Sequence, residues 1–418
     1  MTKRLILAFV FLSWHLVACS NGDSGISSGL PDKPSAEEDS PGTETISEEM
    51  RVKITGEDLY ISAKLDAKTD ILYWFKKCMF NELFTFYRVG TIDNNMPAPA
   101  TLPDVSPTSL LNLAYSDNIG PFNITGYGWC GGNHPYLDEV TQTARNIGYR
   151  IYIDGKEIKT DLSTLTKEIK IEVINEIMNP SKADTSSGKT LLNEILCIET
   201  VNYSIYRNNI QVLVTHEFQN ESPVTVQMYY GMQSMFDKET HTLTANGKYV
   251  DWTVQKDVST FTKKEYPSFR RFIEKSANAY QSSYLFADGL GNHEEISDDD
   301  IIFIGNSSNK TYHKIIADRE HKKGDIIHWS GVYTWFKSPV SDDDDLLCYE
   351  GVIDNNKVLF IVCKKSVDRT IQLPVDYTKK SFTIIEKSKS ITITGNKVTA
   401  KGLRIVSDGS GSCVITFD

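Results

Sequence analysis

Apolar and polar residues alternate singly along much of this chain. In "IQVLVTHEF", Ile210, Val212, Val214, His216 and Phe218 fall on one face, and Gln211, Leu213, Thr215 and Glu217 on the other. A period of two is the signature of a half-buried strand. Two-residue turn signals punctuate these runs: Asp154-Gly155, Asn208-Asn209, Asn246-Gly247, Asn355-Asn356 and Gly395-Asn396. Asn, Asp and Gly tolerate the positive φ that tight hairpin turns require, so each pair predicts a hairpin. The Asn246-Gly247 turn would set His241 opposite Trp252. A helical period shows best in "YPSFRRFIEKSANAY", where Phe269, Phe272, Ile273 and Ser276 form a stripe behind Pro267. That spacing predicts a helix carrying Arg271.

The pattern therefore predicts a mainly β protein built as a large antiparallel β-sandwich, supersandwich-like in its long central strands. Residues 51–340 form the main sandwich, with 160–260 its most regular part. Residues 341–418, from "SDDDDLLCYEG" to "CVITFD", form a small second β domain. That tail resembles the small C-terminal sandwich that closes many carbohydrate-active proteins.

The N-terminus changes the picture from fold to address. Lys3 and Arg4 precede an apolar run, Leu5 to Leu12, and "LVAC" ends at Cys19. This is the layout of a signal peptide over residues 1–18. The small residues before the cysteine resemble the lipobox of bacterial lipoproteins, which implies cleavage before Cys19 and lipidation there. Residues 19–50 are rich in Ser, Gly, Pro, Asp and Glu, too polar to offset ordering entropy, and read as a flexible tether. Acidic tethers of this kind look like those of Bacteroidetes lipoproteins. The resemblance implies an outer-membrane, cell-envelope location, facing the periplasm or the outside. Losing Lys3 and Arg4 with the signal takes the formal charge from −11 down by two, to −13. A surface so acidic argues against nucleic acid as a partner.

Six cysteines remain beyond Cys19 without a C-x-x-C pair, which argues against a zinc ribbon. In "LLCYEGVIDNNKVLFIVC", a turn at Asn355-Asn356 would set Cys348 opposite Cys363, within disulfide reach. Two free buried thiols is the other reading.

Phosphate-binding loops, the dinucleotide glycine fingerprint, H-E-x-x-H and G-x-S-x-G are absent from the sequence. The acidic runs at 297–300 and 341–345 suit calcium by ligand type but lack a spaced ligand pattern; no other cofactor is indicated. The stretch "GYGWCGGNHPYLDE", residues 126–139, is the best chemical candidate. Its glycines allow sharp turns that would present Asn133 and His134, while Trp129 and Tyr136 are platforms of the kind that stack on sugars. With "SDNIGPFNIT" before it and "YRIYIDGKEI" after, it is similar to segments of bacterial and phage surface proteins that act on polysaccharide.

A second group lies on the central strands. His216 continues an apolar row, as a core histidine bonded to a neighbour also would, and "VTVQMYYGMQSMF" brings Gln227, Tyr229 and Tyr230 nearby. Together with Arg271 these residues resemble the metal-independent set of sandwich-fold polysaccharide lyases. The resemblance implies Asn133 or Gln227 neutralising a uronate carboxylate, His134 or His216 as base, and Tyr229 or Tyr230 as acid. The helical toroid that accompanies such sandwiches is missing. His241 and Trp252 would add a sugar-holding pair. Two functions follow: a polysaccharide lyase cleaving by β-elimination, or a glycan-binding or scaffolding lipoprotein without catalysis.

Overall fold

The computed structural model describes residues 46–418 apart from 102–106, 114–118, 236–240, 244–246, 248, 252–258, 262–270, 277–278, 287–301 and 306–309. The signal segment, Cys19, the tether up to residue 45, Trp252 and the acidic run at 297–300 lie outside the described residues; the tether's last residue, Met50, already opens the strand Met50–Thr55. Regular structure among the described residues is strand apart from two short 3-10 turns, Pro180–Lys182 and Val375–Tyr377.

A ten-stranded antiparallel sheet is the spine. Its long central strands are Ala144–Ile153, Ile169–Met178, Ile195–Tyr206, Asn209–Phe218 and Ile326–Phe336. The alternation read from the sequence holds residue by residue: Ile210, Val212, Val214, His216 and Phe218 are buried, whereas Leu213 and Glu217 are exposed. Two six-stranded sheets cover the same face of this spine. One carries Thr69–Cys78 and Leu83–Asp93 at its centre; the other carries Val224–Met235 and Lys310–His321. One continuous apolar core joins all three. Aromatic rings bridge the layers: Tyr73 meets Trp335, Phe75 meets Tyr203 and Phe86 meets Tyr333, each at 5.4 Å between centroids. Sandwich packing of this kind needs inward residues from both layers, and these rings supply them.

The C-terminal strands build a five-stranded and a three-stranded sheet around a separate core. The five-stranded sheet turns its other face to the spine, where Phe336 stacks on Tyr349 at 4.3 Å and Tyr284 packs on Phe360 at 5.4 Å. The run at 341–345 pins this junction. Asp342 accepts hydrogen bonds from Lys275 (2.8 Å), Lys364 (2.9 Å) and the Tyr280 hydroxyl (2.6 Å). Burial pushes its carboxyl up, but those donors outweigh burial and hold it down at about 2. Arg369 pairs with Asp343 and Lys365 with Asp345. These aspartates serve as ion-pair partners, and among the described residues no three His, Cys, Asp or Glu gather as a metal site.

Several local expectations are corrected. Residues Arg271–Lys275 are a strand, hydrogen-bonded to Tyr280–Leu285, not a helix. The apolar stripe there reflects burial on both sheet faces: Ile273 enters the core shared with the C-terminal sheet and Phe272 the main core. The Asp154-Gly155 hairpin forms as expected, with φ of 46° and 79°. The next turn sits at Arg207-Asn208, because Asn209 is a buried strut. Its Oδ1 accepts from Thr334 Oγ1 (2.8 Å) and the Val352 amide (3.1 Å). Likewise the turn before Cys363 is Asp354-Asn355, clamped by Gln211 against Asp354 at 2.9 and 3.0 Å. That one-residue shift sets Cys348 opposite Ile361 and Cys363 opposite Leu346; both thiols are free and buried. His241 faces Asp251, not Trp252. Ile391–Ile393 pairs with Leu403–Ser407 rather than forming a hairpin at Gly395-Asn396.

Candidate functional site

The Asn-His loop is built by hydrogen bonds around one asparagine. Gly131 and Gly132 take consecutive left-handed φ values of 77° and 50°, closing a turn in which the His134 amide donates to the Gly131 carbonyl at 3.1 Å. L-residues with a side chain rarely hold two such angles in succession. Asn81, fully buried, donates to the Gly132 carbonyl (2.8 Å) and the His134 carbonyl (3.2 Å) and accepts from the Thr143 amide (3.0 Å). Thr143 Oγ1 donates to the His134 carbonyl and accepts from the Gly131 amide. Asn133 Oδ1 accepts from the Phe80 amide at 2.8 Å, so its carbonyl end is committed to holding the loop. Asn81 was not legible in the sequence, because it sits in the break between two strands with nothing but "MFNELF" around it.

What the loop presents is a ring stack. The His134 imidazole lies on the Trp129 indole at 5.2 Å and 24°. Trp129 in turn lies on Tyr230 at 5.9 Å and 24°, and Tyr230 on Tyr312 at 5.1 Å and 34°. These rings stand on the outer face of the second six-stranded sheet, supplied by Gly128–Cys130, Val224–Met235 and Lys310–His321. Trp129, His134 and Tyr230 are half-buried, and Tyr312 is buried. Among the described residues the Trp129 indole N–H finds no acceptor. Around the stack, Tyr127, Leu137 and Val140 are 43%, 66% and 77% exposed, an unusual apolar concentration for a loop.

His216 and Tyr229 lie elsewhere. Both have zero exposure, on the inner side of the sandwich. His216 Nε2 is 2.9 Å from Glu199 Oε2, and Glu199 Oε1 accepts from Asn175 Nδ2 at 2.9 Å. Asn146 then donates to Asn175 Oδ1 at 2.9 Å. Tyr229 gives its hydroxyl proton to the Ile119 carbonyl (2.8 Å) and accepts from Trp329 Nε1 (2.7 Å). Burial drives the Tyr229 phenol well above its usual range. The rings of His216 and Tyr229 do meet, edge-on at 5.0 Å, but Phe122 closes over both. His134, His216 and Tyr229 therefore do not share one open cleft, as a lyase base and acid drawn from them would have to. A polymer cannot reach the inner pair without parting the sheets.

The remaining candidates are dispersed. Gln227 is exposed while Tyr229 is buried, because a bulge between Val226 and Met228 breaks their shared face. Arg271 is 2% exposed and donates to the Gly411 carbonyl at 3.1 Å, inside the junction with the C-terminal sheet. Tyr136 is half-buried beside the loop, and His241 is exposed on a short strand near one margin of the spine. Of the sequence candidates, the structure unites Trp129, His134 and Tyr230, with Asn133 as support. A separate concavity of about 280 Å³ lies between the Gly56 turn and the hairpin at 154–155, lined by Glu57, Asp58, Tyr149 and Asp161. Its carboxylates already accept from Trp74 Nε1 and the Gly56 amide, and it is remote in sequence and sheet from the ring stack.

No protein-family model and no curated protein matches this chain. Solved structures align with it at low scores. A GH36 alpha-galactosidase from Geobacillus stearothermophilus aligns at 10% identity and TM-score 0.38, over 69% of this chain and 41% of the enzyme. A heparan sulfate lyase mutant from Pedobacter heparinus aligns at 7% and 0.31, over 75% and 41%. A polysaccharide lyase aligns at 6% and 0.28, over 82% and 45%. The chain thus spans less than half the length of these structures. The functional reading rests on the residues themselves.

Proposed function

We propose that this chain is a lipid-anchored envelope protein that binds polysaccharide without cleaving it, through the ring stack His134–Trp129–Tyr230–Tyr312. The single observation that carries the reading is the stack's geometry. Aromatic rings recur every 5.1 to 5.9 Å on a rigid sheet, on the scale of one sugar residue along a chain. Each ring combines apolar surface with a polar tip, which suits sugars, whose own surfaces alternate C–H and O–H. Binding without catalysis is favoured because His216 and Tyr229, the histidine and tyrosine candidates whose rings meet, are sealed in the core.

Trp129→Ala is expected to weaken glycan binding at least tenfold, about 1.4 kcal/mol, with an unchanged unfolding midpoint. Affinity electrophoresis against a panel of envelope and plant polysaccharides reads the effect. Retained binding in Trp129→Ala and Tyr230→Ala together would remove the reading, and release of unsaturated sugars during incubation would replace it with a lyase. The anchor rests on "LVAC" and the polar stretch behind it. Cys19→Ser is expected to move the protein from the membrane fraction to the soluble fraction of its host. Unchanged fractionation would show that Cys19 does not hold it there.

A further inference from the structure

The outer face of the first six-stranded sheet carries a second group of rings. Lys53, Tyr60, Trp74 and Arg88 stand in register across four adjacent strands. Tyr60 stacks on Trp74 at 5.3 Å and 26°, and Tyr87 meets Trp74 edge-on at 4.9 Å. The Lys76 ammonium lies 4.4 Å from the centre of the Trp74 ring and 4.1 Å from that of Tyr87, held by both. A bulge makes this group possible. Trp74 pairs with Arg88 but Phe75 pairs with Phe86, which leaves Tyr87 as an extra residue. Phe86 and Val89 are buried, and the two residues between them both face outward. Strict alternation would have turned Arg88 into the core. Farther along the same face the chain covers itself. Ser62 Oγ donates to the Ala100 carbonyl at 2.6 Å and Lys64 Nζ to the Asn94 carbonyl at 2.7 Å, and both residues are buried. Tyr60, Trp74, Lys76 and Tyr87 stay half-buried and Arg88 exposed.

This face continues toward the ring stack. Both six-stranded sheets cover one face of the spine, so their outer faces look the same way. The strand Thr69–Cys78 that carries Trp74 runs into the break where the Phe80 amide and Asn81 hold the His134 loop. Phe80 follows Trp74 by six positions, at most roughly 20 Å of extended chain. We propose that Tyr60, Trp74 and Tyr87, with Lys76 and Arg88, form a second sugar platform, and that one polysaccharide chain spans it and the ring stack. The inference rests on the glycan-binding reading above and extends it from one platform to two. Rings meet the C–H surface of a sugar while Lys76 and Arg88 donate to its oxygens, and the rings fix Lys76 in advance, so less freedom is lost on binding. A chain on both platforms makes the second contact intramolecular, so affinity rises with chain length.

The test uses the full chain and two probe series, galactose oligomers and galacturonate oligomers, each as a trimer and a decamer. Isothermal titration is expected to show the decamer of one series binding about tenfold or more tighter than its trimer. Trp74→Ala is expected to remove that advantage while the protein still binds the trimer. Tyr87→Ala, whose side chain is part of no core, is expected to reduce it without moving the urea midpoint. An advantage that survives both substitutions overturns the second platform and leaves the ring stack as the glycan site. So does the absence of any advantage in the unaltered protein while Trp129→Ala still weakens binding. Self-association that Trp74→Ala abolishes, with the length advantage untouched, assigns the face to a second copy and also overturns the proposal. Binding of neither series, by the unaltered protein or by Trp129→Ala, removes the parent reading together with this one.

Discussion

Replacing His216 by alanine is expected to destabilise the fold by about 3–5 kcal/mol, the range for stripping one partner from a buried pair. The imidazole is fully enclosed, and its removal leaves Glu199 Oε2 facing Phe122 and Tyr229 with no donor. It also opens a void between the sheets, which adds a cavity term. Glu199→Gln should cost less. Its amide oxygen still accepts from Asn175, and its amide nitrogen can donate to His216. Urea midpoints at neutral pH separate the two, with His216→Ala well below Glu199→Gln. The folded fraction of His216→Ala should still bind glycan, because the ring stack is on the opposite face of the second sheet. A His216→Ala protein as stable as the parent but without glycan binding would reverse the assignment, making His216 part of the site rather than of the core.

How far this was legible in the sequence depends on which interaction decides each feature. Period-two alternation gave the spine strands, since burial of every second residue is a property of the local run. Turn position was legible to within one residue only. Asn208-Asn209 and Asn355-Asn356 both satisfy local turn chemistry, but the register is set by distant partners, Val352 and Thr334 for Asn209 and Gln211 for Asp354. The strand at Arg271–Lys275 misled for a related reason. Phe272 and Ile273 are adjacent and both buried because layers cover both faces of the sheet, and a doubly covered strand loses its alternation. In the site, Trp129, His134 and Tyr230 were visible by residue type. Their stacking, and the exclusion of His216 and Tyr229, depend on which face of each sheet is covered.

Replacing Glu274 by glutamine is expected to stabilise the protein increasingly as pH rises. Glu274 faces the gap between the spine and the second covering sheet at 2% exposure. Thr311 Oγ1 donates to its Oε1 at 2.9 Å, and among the described residues its Oε2 has no hydrogen-bond partner. Around it stand Gln281, opposite on the next strand and bonded to Ser234 Oγ at 2.7 Å, Ser234 in register with Thr311, and His313 two residues after Thr311, its ring 4.7 Å from that of Phe272. Arg271, three residues earlier, points to the other side of the sheet and bonds the Gly411 carbonyl. Among the described residues no cation bonds it, and burial pushes the Glu274 carboxyl up to about 8, against a smaller opposing effect from the Thr311 hydrogen bond. The native state therefore holds a proton that the unfolded chain releases near pH 4.5. Between those values the native state binds more protons than the unfolded one, so rising pH lowers stability. At about 1.36 kcal/mol per unit, the loss approaches 5 kcal/mol as an upper limit by pH 8. Glutamine keeps the acceptor for Thr311 and cannot ionise. Its advantage should be near zero at pH 4.5, grow through pH 6 and 7, and level off above pH 8. Urea midpoints of both proteins across that range give the difference directly. A difference that stays flat with pH would mean that a cation or solvent reaches Glu274 and keeps it ionised in the folded protein.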